Sequence, residues 1–169
     1  MREFEHSHSR LTNLSWEIKT AYTAFLGFCF FAYVVIFLLA VLKTGFTNQD
    51  YVDYYQGNES REMYKKTYGE LVETTHFHLF SYPVFLLIQG HIFLLTAWPR
   101  SIKAAVVVAS FVGSALYLAA PWLVIYGSSH FAWIGFIGRW TLAISLFLYL
   151  VVPLYEMWFK RSPCPTNNR

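Results

Sequence analysis

Four long apolar runs, each closed by a polar or helix-breaking stop, set the pattern of this chain. The first covers residues 20–42 and ends at Lys43, Thr44 and Gly45; the second covers 76–98 and ends at Pro99 and Arg100. The third covers 104–126 and ends in Gly127, Ser128 and Ser129. A helix needs about 20 apolar residues to cross the hydrocarbon of a bilayer. The fourth run carries Arg139 in its early part. An arginine well inside hydrocarbon is costly, and Gly135 and Gly138 weaken a helix. Residues 127–139 are therefore expected at the membrane interface, with the fourth span over 140–158. The pattern predicts an all-α integral membrane protein, with four transmembrane helices in a bundle.

Residues 43–75 read as an outer loop, polar throughout, with Asp50, Asp53, Glu59, Arg61, Glu62, Lys65, Lys66, Glu70 and Glu73. From Ser60 onward this loop lacks proline and spaces Met63, Tyr64, Tyr68, Leu71 and Val72 along one helical face. That spacing predicts an amphipathic extramembrane helix leading into the second span. The transmembrane domain covers residues 20–159, between an N-terminal tail of residues 1–19 and a C-terminal tail of 160–169. The N-terminal tail is too acidic and too polar for a signal peptide.

Basic residues in the flanks orient the bundle. Arg2, Arg10, Lys19, Arg100, Lys103, Lys160, Arg161 and Arg169 fall on one side, and Lys43, Arg61, Lys65, Lys66 and Arg139, with more acids among them, on the other. The positive-inside rule then places both tails in the cytoplasm.

Composition agrees with a membrane class. Hydrophobic residues make up 56% of the chain, aromatic residues 20% and charged residues 14%, where soluble domains carry about 25% charged residues. The net charge of +3 comes from cations at segment ends, which act as membrane anchors and give no nucleic-acid footprint. Cys29 and Cys164 form neither a CxxC redox pair nor a disulfide framework. The spans carry no carboxylate in their apolar centres and few repeated polar positions, so proton-coupled export or a pore formed by this chain alone is not expected.

The chemistry concentrates around the second span. Glu73, His76, Phe80, Pro83, Leu87 and His91 are separated by steps of three or four and share one stripe. His76 and His91 lie about 22 Å apart along the axis, close to the spacing of the two haem levels in membrane b-type cytochromes. His130, between the third and fourth spans, is placed to pair with His76 or His78 as axial ligands of one haem b near the outer surface. Opposite His91, spans one, three and four offer no histidine and no methionine deep enough to serve as a second ligand, and Gln89 is its polar neighbour. His76, His78, His91, His130 and Arg139 are the cofactor-binding candidates. A zinc or copper site built from His76, His78, His130 and Glu73 is the other metal chemistry the residues allow. Residues two apart on a helix diverge by about 200°, so both triplet histidines reach one ion only where the helix starts after them. For each histidine, a plain interfacial anchor or an interhelical hydrogen bond is the bland alternative.

Pro83, Pro121 and Pro153 fall inside spans and bend them. Ala109, Ser110, Gly113 and Ser114 give the third span a small-residue surface for close helix contact. The aromatic first span presents a face to lipid or to another subunit. The GELVETTHFHLF and QGHIFLL segments resemble the text of small bacterial membrane proteins built on four helices. The combined expectation is a small subunit of a larger redox assembly in the bacterial inner membrane, with no catalytic set of its own. Its partners would be other integral subunits, the bilayer, and a quinone or an outer-side electron carrier. A self-sufficient cytochrome b-like protein and a purely structural or assembly subunit are the alternatives.

Overall fold

The computed structural model describes residues 11–160. The outer parts of both tails, with His6, His8 and Cys164, lie outside the described residues. Five helices account for most of the chain: α1 (Trp16–Thr44), α2 (Asn48–Gln56), α3 (Tyr68–Leu94), α4 (Arg100–Tyr126) and α5 (Ala132–Trp158). Helices α1, α3, α4 and α5 are each long and apolar enough to cross a membrane, so the protein is a multi-pass helical membrane protein. The start of α1 and the end of α5 meet at one end of the bundle, the tail end, where Trp16 and Trp158 pack edge to face at 5.2 Å. The other, loop end carries α2 and the short turn Ser129–Phe131.

The core forms three layers along the bundle axis. Leu11, Leu26, Ile92 and Met157 fill the tail end, Leu86, Phe93, Tyr149 and Val152 the middle, and Tyr51, Ala120, Val124 and Ala132 the loop end. Helices α4 and α5 approach most closely. A Cβ on Gly138 would stand 2.6 Å from the Tyr117 nitrogen and 2.8 Å from the Gly113 carbonyl oxygen, so only glycine lets the two backbones meet there. Gly113, Ser110 and Ser114 are buried in this contact, as the small-residue surface predicts.

Two segments differ from the sequence expectation. A helix does lead into the second span, but it begins at Tyr68 as the first turns of α3 and not near Ser60; residues 62–67 are not helical, and a separate helix, α2 (Asn48–Gln56), precedes them. Thr47 and Asp50 form a reciprocal capping box that starts α2, and Gly57 at φ 87° ends it. The chain then turns back through an isolated bridge between Asn58 and Met63, with Glu62 left-handed at φ 55°. A second capping box, Thr67 with Glu70, starts α3 eight residues before His76. The fourth span also begins earlier than expected, at Ala132 and not Trp140, and carries Arg139 within it. Its guanidinium reaches the end of α1, donating to the Thr44 hydroxyl at 2.7 Å and the Gly45 carbonyl at 3.3 Å, and it lies 5.7 Å from the Tyr51 ring centre. A cation at a helix C-terminus, hydrogen-bonded to its free groups, escapes the penalty of bare hydrocarbon.

Candidate functional site

The loop end builds one cleft, and α2 is its lid. Tyr51 of α2 is buried against Ala120, Val124 and Ala132, and Gln56 donates to the Val124 carbonyl at 2.7 Å. Arg61 ties the returning turn to α2 through Asp50 at 2.6 Å and Asp53 at 3.3 Å. Lys66 continues this binding: its backbone N–H donates to the Tyr55 carbonyl at 3.0 Å, its Nζ pairs with Glu70 at 2.8 Å, and it lies over the Tyr54 ring. Helix α2 is thus held across the ends of α1, α4 and α5, and Lys66 links the returning turn to α3.

Beneath it lies a cleft of about 300 Å³. Its apolar wall is Ile36, Leu39 and Ala40 of α1. Opposite stand Tyr54 and Tyr55 of α2, His78 and Tyr82 of α3, and Tyr117 of α4, with Lys43, Lys66, Glu70 and Glu73 also in the lining. Burial pushes the Tyr55 phenol well above the usual range, so at neutral pH it is a hydrogen-bond donor without charge. The Lys66 ammonium is held charged by its hydrogen bond to Glu70.

His78 is the one imidazole in this lining. Its Nδ1 lies 2.7 Å from the Thr74 carbonyl oxygen, which requires a proton on Nδ1 and leaves the Nε2 lone pair as acceptor or ligand in the neutral ring. The Tyr82 ring packs edge to face on it at 4.9 Å. His76, His91 and His130 are exposed on the outside of the chain and do not line the cleft. Among the described residues no three His, Cys, Asp or Glu side chains converge on a common metal position, so the expected set of His76, His78, His130 and Glu73 is not assembled. The cause is local: α3 runs unbroken through both triplet histidines and turns them to different faces. Glu73 reaches the cleft, whereas Arg139 is engaged with α1.

The two polar residues near the C-terminal end of α3 also part company. Gln89 is fully buried and accepts the Tyr33 hydroxyl through its Oε1, and Ser110 and Tyr149 share a hydrogen bond at 2.9 Å in the same interior. His91 points out of the bundle. Sequence reasoning weighed histidines and passed over the tyrosines, although Tyr51, Tyr54 and Tyr55, spaced by three and four, mark one face of α2.

A family model described as a transmembrane helical domain matches residues 45–164, a stretch that takes in α2 to α5 and leaves α1 outside. Neither a curated protein nor a solved structure matches the chain.

Proposed function

Because this chain belongs to the Aq_1264_TM family of transmembrane helical domains, we propose that it serves as an integral subunit of a membrane redox assembly and binds a quinone headgroup in the cleft under α2. The observation that carries this reading is the cleft's make-up: an apolar α1 wall facing a set of phenols and one imidazole with a free Nε2. A small site with a mostly apolar lining and a few placed polar groups suits a flat ring bearing two oxygens. The isoprenoid tail leaves along α1 towards lipid.

On oxidation a quinol releases two protons and two electrons. His78 Nε2 takes one proton, and Glu73, which lines the cleft and is itself exposed, passes the other to water. The two electrons go to a redox centre of an adjoining subunit. With both tails on the cytoplasmic side, the cleft opens on the outer face of the bacterial inner membrane.

The test uses the full chain in detergent micelles and a short-tailed benzoquinone, read by quenching of Tyr and Trp fluorescence. Saturable quenching is expected, weakened about tenfold in His78→Ala, the equivalent of one lost hydrogen bond, and unchanged in His91→Leu. Absence of saturable quenching, or equal binding by wild type and His78→Ala, overturns the reading. A Soret band in the purified chain that disappears in His78→Ala would assign the site to haem b instead, with His78 as an axial ligand.

A further inference from the structure

We infer that the cleft selects the redox state of its ligand: it binds a hydroquinone more tightly than the matching quinone, and His78 is the residue that tells the two apart. This rests on the quinone-site reading and names the form that site holds. The deciding contact lies within α3. His78 Nδ1 stands 2.7 Å from the Thr74 carbonyl oxygen, and a carbonyl oxygen only accepts. The single proton of the neutral ring is therefore fixed on Nδ1, and Nε2 presents a lone pair. Tyr82, one turn further along α3, packs edge to face on the imidazole at 4.9 Å and restrains the ring in that orientation.

Reduced and oxidised rings have nearly the same shape and differ at their oxygens. A hydroquinone oxygen donates as well as accepts, whereas a quinone oxygen only accepts. The Nε2 lone pair is a partner for the first and meets the second lone pair to lone pair, leaving both acceptors unsatisfied. A site that hydrogen-bonds a substrate hydroxyl discriminates against the analogue without it, because the site's own polar group is then left unpaired.

The rest of the lining does not cancel this preference. The hydroxyls of Tyr55, Tyr82 and Tyr117 donate or accept as they turn, so they serve both forms alike. Glu73, an acceptor only, acts in the same direction as His78. The groups that only donate are the two ammonium groups of the lining. Lys66 is taken up by Glu70 at 2.8 Å. Lys43 is exposed, and a bond made in water counts for less than one made by the half-buried His78. Tighter hold on the reduced form raises the midpoint potential of the bound ring, by about 30 mV for each tenfold in a two-electron couple.

The test uses the full chain in detergent micelles at about pH 8, above the ordinary imidazole range, and equilibrium dialysis under nitrogen, with empty micelles as the partition blank. Three probes share one short tail: a benzoquinone, its hydroquinone, and the dimethyl ether of that hydroquinone, which keeps the ring and both oxygens but has no O–H. The hydroquinone is expected to bind about tenfold tighter than the quinone, the equivalent of one hydrogen bond made by one form alone, and the ether no tighter than the quinone. His78→Gln, whose amide both donates and accepts, is expected to bring hydroquinone and quinone to near equality. Equal binding of the two forms by the wild type, an ether that binds as tightly as the hydroquinone, or a preference unchanged in His78→Gln overturns the inference and leaves the quinone site standing. Specific binding of none of the three overturns both.

Discussion

Glu156 holds the tail-end turn from below. Its carboxylate is 2% exposed, accepts the Ala97 backbone N–H at 2.7 Å and pairs with Lys160 at 3.1 Å. Leaving a partly buried backbone donor without an acceptor costs about 1–3 kcal/mol. Glu156→Ala is therefore expected to lower the thermal midpoint in detergent micelles, and Glu156→Gln, which keeps an acceptor oxygen, to lower it less. Equal loss from both would assign the effect to the Lys160 pair. At the opposite end Asp50 works in water. The Thr47 hydroxyl, then Arg61 and the Thr47 backbone N–H, hold its carboxyl down at about 2, against about 3.9 in an unfolded chain. A depressed carboxylate contributes stability that is complete above the unfolded value and is lost as pH falls through the folded one. The thermal midpoint of the wild type should thus exceed that of Asp50→Asn at neutral pH, and the gap should close as pH falls from about 4 to about 2.

Helix packing follows the same reasoning one level up. The α4–α5 crossing depends on a backbone approach at Gly138, where an added Cβ would collide with Tyr117 and Gly113 main-chain atoms. Backbone cannot yield as a side-chain tip can, so Gly138→Ala is expected to cost about 1–3 kcal/mol in denaturant titrations in mixed micelles. Gly27→Ala on α1, where nothing lies within 4 Å, should be neutral or slightly stabilising, because alanine is the better helix former. These glycines also show what was legible in the chain. Four apolar runs announced four spans, because hydrocarbon length is a local constraint that each run satisfies by itself. The start of α5 was not legible. Arg139 and Gly135 look like faults in a span until Thr44, 95 residues away, and Tyr51 are known to meet them. The starts of α2 and α3 were written locally, as Thr-x-x-Asp and Thr-x-x-Glu capping boxes, and the apolar pattern of residues 63–72 outweighed that signal. The cleft was hidden for the same reason as Arg139: its walls come from four helices, and of the four histidines weighed, only His78 turns towards it.

The whole molecule is a tight α3–α4–α5 unit with α1 laid along it, and the family match to residues 45–164 covers that unit without α1. Of the residues in α1 only Leu26, Cys29 and Thr44 are buried. The helix is held by a few separate ties. Trp158 donates to Thr23 at 2.9 Å at the tail end, Tyr33 donates to Gln89 in mid-membrane, and Arg139 clasps Thr44 and Gly45 at the loop end. Eleven residues separate Tyr33 from Thr44, about 16 Å along the helix, and the two ties share no side chain. Substitutions that far apart normally add within about 0.5 kcal/mol. Tyr33→Phe should cost roughly 0.6 kcal/mol, the average for an interhelical hydrogen bond in a membrane. Arg139→Met should cost more, since it frees the α1 terminus and uncovers Tyr51 as well. In a double-mutant cycle measured by denaturant titration in mixed micelles, the pair should equal the sum of the singles. The α1 wall of the cleft should loosen with it, seen as faster amide exchange over residues 36–44 than over α4. A coupling energy well above the additive limit would mean that α1 docks as one cooperative unit, and that the cleft opens only when the whole helix leaves.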